Sequence, residues 1–171
     1  MKQNKVKKTD TNTRKVLGID PGLAHTGWGI IENLDGKIRY IDHGVIETKA
    51  HTPRPERLFV ILQSVRTIIE KHKPQEAAVE ILFFGKNVTS AIPVAEARGV
   101  ISALLAEKGI PLYELTPNKI KQGVTGITRA DKSQVQEMVR IILSLDEIPK
   151  PDHAADALAA AICAANICVC P

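Results

Sequence analysis

The 171-residue sequence predicts an α/β domain built on a mixed five-stranded sheet flanked by helices. Three features point there. Strand-like runs come first and are joined by a hairpin signal. Helical and strand-like periods then alternate to the end. No linker-like stretch or internal repeat interrupts the pattern, so one domain is expected.

The elements follow in order. Val16–Asp20 reads as a short buried strand closed by the turn Pro21-Gly22. Thr26–Glu32 and Lys37–Glu47 are two more strands, and Asn33-Leu34-Asp35-Gly36 joins them as a hairpin. These three form an antiparallel meander. In Arg54–His72, Leu58, Ile61, Leu62, Val65, Ile68 and Ile69 recur at spacings of three and four, which marks an amphipathic helix that Pro74 stops. Glu76–Leu82 is a buried strand. Val88–Lys108 is helical, with Gly109 as its C-terminal cap and Pro93 either starting or kinking the regular part. Ile110–Leu115 is the fifth strand. Thr116 and Pro117 supply the N-cap and N1 residue of a short helix. A Gly/Thr-rich loop, Gly123–Thr128, leads to a helix from Asp131 to about Leu145. After the loop Asp146–Pro151, a last helix runs from about Asp152 to Ala165, with Asp152 as its N-cap.

Charge divides the chain. The formal net charge is +4, but residues 1–15 hold six bases against Asp10 alone, and the rest is slightly acidic. The expected organisation is a disordered basic extension over residues 1–15, a domain over 16–166 and a short tail over 167–171. The extension has no apolar segment of the secretory kind, and no apolar window is long enough to cross a membrane. The extension can add non-specific affinity for nucleic acid. Cys163, Cys168 and Cys170 are an odd set, which fits reduced thiols in the cytoplasm.

Three carboxylates occupy costly positions. Asp20 ends the first strand, Glu80 lies between Val79 and Ile81 on an apolar strand, and Asp156 stands among alanines and Leu158. A turn would explain Asp20 alone, a buried Lys or Arg partner Glu80 alone, and the helix dipole Asp156 alone. Convergence on a divalent cation would explain all three. Magnesium or manganese suits such oxygen ligands, and phosphodiester hydrolysis is the chemistry that goes with them. His153 precedes Asp156 by three residues and can serve as a ligand, a general base or a solvent-facing residue. Phe83, Lys86 and Asn87 follow the Glu80 strand. The ring can pack in the core or stack on an unpaired base. Lys119, Lys121, Arg129 and Lys132 form either a solvated basic face or a phosphate-binding one.

Taken together, GIDPGLAHTGWG, VEILFFGKN, EARGV, KSQVQEMVR and HAADALAAAI, in that order between Val16 and Ile162, resemble the RuvC Holliday-junction resolvases. The resemblance implies a ribonuclease H-like fold, a homodimer and paired, symmetric nicking of four-way DNA junctions with two Mg²⁺ ions per site, for which Mn²⁺ can substitute. It also implies catalytic and metal-binding roles for Asp20, Glu80, His153 and Asp156. DNA contacts are implied for Phe83, Lys121 and Lys132, with Lys86 and Asn87 beside the ring, and a RuvA–RuvB branch-migration complex is the implied partner. The chain departs from the family pattern in three places: His153 stands where Asp is common, Ile81 follows Glu80 where Gln is usual, and Pro93 lies in the helix of the implied dimer face. An actin-like kinase shares the G-I-D-x-G opening but needs two such domains, which 171 residues do not supply.

Overall fold

The computed structural model describes residues 13–81 and 88–167, with the side chains of residues 88–90 left out. Its elements are β1 (Thr13–Asp20), β2 (His25–Leu34), β3 (Lys37–Glu47), α1 (Arg54–His72), β4 (Glu76–Glu80), α2 (Val88–Glu107), β5 (Leu112–Leu115), α3 (Pro117–Thr125), α4 (Lys132–Ile142) and α5 (Asp152–Ile167). They form one five-stranded sheet in the order β3-β2-β1-β4-β5. The expected meander is present: β1 and β3 both pair antiparallel with β2. The strands that arrive through helical crossovers are parallel, β4 to β1 and β5 to β4. The β2–β3 turn is tighter than the sequence suggests. Asn33 and Leu34 still pair, and only Asp35 and Gly36 turn, both at positive φ (50° and 85°). Two residues of that kind match the right-handed twist of a hairpin.

Period-two alternation sorts the strands between two cores. Leu17, Ile19, Ile30 and Ala77 meet Ile61, Val65, Ile69, Ile101, Leu104 and Leu105 of α1 and α2 on one face. Val16, Ile31 and Ala78 meet α3, α4 and α5 on the other. Asp20 and Glu80 continue the Val16 and Ala78 sets, so both fall on the α5 side of the sheet. α5 lies close on that face because side chains are missing beneath it. A Cβ on Gly18 would stand 1.8 Å from the Ala157 carbonyl oxygen, and one on Gly27 would stand 2.0 Å from that of His153. With strands below and α3 and α4 above, α5 is buried nearly all round, hence its run of alanines.

Several sequence boundaries move. β1 begins at Thr13, so Thr13, Arg14 and Lys15 belong to the sheet rather than to the basic extension. Arg14 bonds Glu76 at 3.1 Å and the Ala165 carbonyl at 3.2 Å, which fixes the strand start. Gly123–Thr125 are the last turn of α3, not loop, and Gly126 at φ 79° is the cap. Gly123 lies against Cys163 of α5, where a Cβ would come within 2.6 Å of the sulfur. α2 runs from Val88 through Pro93, near enough to its start that few backbone bonds are lost. β5 starts at Leu112, and α4 ends at Ile142, short of Leu145. Asp131 lies outside α4 as its N-cap in a reciprocal capping box with Gln134. Asp152 is the first residue of α5 rather than its N-cap, and its carboxylate turns to Lys132 at 3.1 Å. The extension's residues 1–12, the segment Leu82–Asn87 with Phe83, Lys86 and Asn87, and the tail 168–171 with Cys168 and Cys170 lie outside the described residues.

Candidate active site

Adjacent parallel strands set the first two acids. Ile19 pairs with Val79, which puts Asp20 and Glu80 side by side at the C-terminal ends of β1 and β4. α5 crosses β1 and β2 at Gly18 and Gly27, and this brings its first turns over those ends. His153 Nδ1 lies 2.7 Å from Asp20 Oδ2. An ionised carboxylate only accepts, so Nδ1 is the donor in this contact and Nε2 faces away from it. His25, at the start of β2, stacks on His153 with centroids 5.6 Å apart and planes within 9°. Nothing in the sequence links these two histidines; only the α5 crossing brings them together.

Asp156, one turn along α5 from His153, accepts a hydrogen bond from Lys132 Nζ at 3.1 Å. The same ammonium bonds Asp152 at 3.1 Å. Burial holds the Glu80 carboxyl above its ordinary range, and the charges of Asp20 and Asp156 push it further up, while Lys121 pulls the other way. Burial also raises Asp156, against the pull of Lys132, and the charges of Asp20 and Asp152 add to the rise. A cavity of about 200 Å³ opens here, bordered by Glu80, Lys121, Lys132 and Asp156, with Ile120 and Val135 forming apolar wall. A larger depression of about 450 Å³ near Thr125, Ile127 and Met138 contains none of the predicted site residues.

The fold thus brings together Asp20, Glu80, His153 and Asp156, with Lys121 and Lys132 at the rim. Among the described residues no group of three or more His, Cys, Asp and Glu is already gathered as metal ligands. The reason is visible in the pairing: His153 engages Asp20, and Lys132 engages Asp156. The donor chemistry nevertheless fits a hard divalent cation. The charges of neighbouring carboxylates disfavour ionisation of Glu80 and Asp156, and a cation bound among the acids would relieve that repulsion.

A sequence model described as "Crossover junction endodeoxyribonuclease RuvC" matches residues 16–164. The crossover junction endodeoxyribonuclease RuvC of Treponema denticola is 53% identical over 152 residues, covering 89% of this chain and 85% of that protein. The solved structure of Thermus thermophilus RuvC in complex with Holliday junction substrate is 36% identical, with a TM-score of 0.86 over 91% of this chain and 94% of that one. The yeast mitochondrial Holliday junction resolvase Ydc2, at 17% identity and a TM-score of 0.61 over 89% of this chain and 80% of that one, shares the fold. The sheet order and the five helices are the ribonuclease H-like arrangement of these structures.

Proposed function

The chain belongs to the RuvC family of crossover junction endodeoxyribonucleases, and we propose that it resolves four-way DNA junctions by phosphodiester hydrolysis at Asp20, Glu80, His153 and Asp156. The observation that supports this reading most is the convergence of three carboxylates from β1, β4 and α5 whose charges oppose one another beside a cavity rimmed by lysines. Asp20, Glu80 and Asp156 would hold divalent cations, two Mg²⁺ per site with Mn²⁺ able to substitute. Such cations supply positive charge for the transferring phosphate and acidify water. His153 holds Asp20 through Nδ1, and its Nε2 lone pair can ligate a cation or orient a water molecule. Lys121 and Lys132 bind backbone phosphates, and DNA draws the Lys132 ammonium from its two carboxylates as cations take its place. Phe83 stacks on an opened base, and Lys86 and Asn87 contact the strand beside it.

Two identical sites about a two-fold axis suit two symmetric cuts in a junction, so the working form is a homodimer. A RuvA–RuvB complex is its partner and the cytoplasm its place. The nuclease domain spans residues 13–167, since β1 begins at Thr13 and α5 ends at Ile167 rather than in the tail, and the basic residues before it add non-specific affinity. A synthetic four-way junction, duplex DNA and an RNA–DNA hybrid, each with Mg²⁺ and with EDTA, test the reading. Cleavage should require Mg²⁺ and prefer the junction. Asp20→Asn should bind the junction without cutting it; normal cutting by that variant would remove Asp20 from the centre.

A further inference from the structure

Arg14, Arg39, Arg54, Arg66, Arg98 and Arg140 each pair with a glutamate. Among the described residues the other two arginines, Arg57 and Arg129, have no acidic partner. Arg129 is exposed, as unpaired arginines usually are, but Arg57 is half-buried. A half-buried guanidinium without a carboxylate keeps an unbalanced charge and four N–H donors beyond Nε for an anion.

The side chain is held. Arg57 Nε donates to Thr48 Oγ1 at 2.7 Å, and the Thr48 hydroxyl donates to the Leu23 carbonyl at 2.5 Å. This ties the guanidinium to the turn that follows Asp20. It borders a depression of about 360 Å³ whose lining includes Gly22, His25, Pro93, Val94 and His153 and, among the described residues, no acidic side chain. His153, whose Nδ1 lies 2.7 Å from Asp20 Oδ2, lines this depression, whereas Glu80, Lys121, Lys132 and Asp156 line the other cavity. Two cationic groups thus adjoin the acidic residues: the lysines at the cavity of Glu80 and Asp156, and Arg57 in the depression that His153 also lines.

We propose that the Arg57 depression is a second phosphate subsite, which binds a backbone phosphate of the cut strand on the side of the scissile phosphate opposite Lys121 and Lys132. The assignment rests on the junction-nuclease reading. A planar guanidinium matches two phosphate oxygens, and Pro93 and Val94 add apolar lining beside it. A strand crossing an acidic centre is repelled there. Fixing it at both ends of the crossing holds the central phosphate where the reaction needs it.

The test uses the full-length protein in EDTA, so that binding is read without cleavage. Junction affinity is measured against salt for wild type, Arg57→Ala, Arg57→Lys and Thr48→Val. Arg57→Ala should bind roughly 10- to 100-fold more weakly. Its plot of log affinity against log salt should lose about 0.7 to 0.9 of slope for each subunit contact removed. Arg57→Lys should recover part of the affinity and Thr48→Val should lose little. Neutral methylphosphonates placed singly at phosphates flanking the cut then locate the contact: one position should weaken wild type and leave Arg57→Ala unaffected. A purely structural arginine would lower the melting temperature and leave every methylphosphonate effect additive, which overturns the proposal. Protection by inorganic phosphate that depends on Arg57 while junction binding does not would mark a free-anion site and overturn it as well. If wild type neither binds nor cuts the junction, the nuclease reading falls and takes this assignment with it. If wild type does both and Arg57→Ala matches its affinity and slope, this assignment alone fails.

Discussion

Gly18→Ala tests whether the proposed catalytic centre depends on how closely α5 lies on the sheet. The added Cβ would sit 1.8 Å from the Ala157 carbonyl oxygen and 2.9 Å from the Ala161 nitrogen. Both are backbone atoms, so no side chain can swing aside, and α5 must lift by at least about 1.2 Å to reach the 3.0 Å that real contacts respect. Overpacking of this kind costs about 3 kcal/mol, at the upper end of its usual range. For a chain of this size that corresponds to a Tm roughly 6–12 °C lower. The same lift carries His153 and Asp156 away from β1. The His153 Nδ1–Asp20 Oδ2 distance of 2.7 Å would open beyond hydrogen-bonding range, and junction cleavage should fall about 100-fold or more. Gly99→Ala is the matched control, because its Cβ meets nothing within 4 Å on an exposed turn of α2. It should raise stability by about 0.5–1 kcal/mol through helix propensity. Thermal melts and single-turnover cleavage of a four-way junction give both readouts. A Gly18→Ala protein that melts with wild type and cuts normally would refute the dependence of the site on this contact.

Other expectations follow from the same geometry. Glu80 binds its proton more tightly when folded, so metal-free stability should fall as pH rises above the ordinary 4.5 of a Glu carboxyl. Glu80→Gln should flatten that slope and raise the metal-free Tm at neutral pH, while the Tm increase that Mg²⁺ gives wild type should disappear; a lower metal-free Tm would contradict the crowding of the three acids. The Cys163 thiol is buried, held by the Lys119 carbonyl at 3.2 Å and pushed up to about 11. Peptide mapping after iodoacetamide at pH 8 should find it unmodified in native protein and modified in urea. Truncation before Thr13 should leave Tm nearly unchanged. Truncation before Val16 removes the Arg14 bonds to Glu76 and Ala165 and should cost about 2 kcal/mol, a drop of roughly 4–8 °C.

Element order and the three acids that the fold gathers were legible because each left a local mark. The Asp-Gly turn, the three-and-four spacing of α1 and the apolar setting of Glu80 all lie within short windows. Arg14 escaped because its basic neighbours resemble a solvated tail, and only Glu76 and Ala165, far along the chain, show that it is anchored. Gly123 resembled loop because glycine usually breaks a helix, whereas here its missing side chain admits Cys163. The Lys132 bridge between Asp152 and Asp156 and the stack of His25 on His153 depend on where α4 and β2 meet α5, which no window contains.

The basic charge of the sequence is concentrated in residues 1–15, of which Thr13, Arg14 and Lys15 belong to β1. With β1 beginning at Thr13, most arginines of the described elements pair with acids, and Arg140–Glu137 or Arg66–Glu107 offers little to a phosphate. Lys132 is paired too, but one of its partners, Asp156, is among the carboxylates that a divalent cation would neutralise, and the other, Asp152, lies one turn away. Cation binding at the acids and phosphate binding at Lys132 therefore favour each other, since each removes the other's competitor. Junction affinity should rise on adding Ca²⁺ to wild type by a larger factor than to Lys132→Ala. Equal enhancement in both proteins, read by fluorescence anisotropy, would show that the ammonium is no competitor for the metal ligands, and would leave direct cation–phosphate attraction as the sole link between the two ligands.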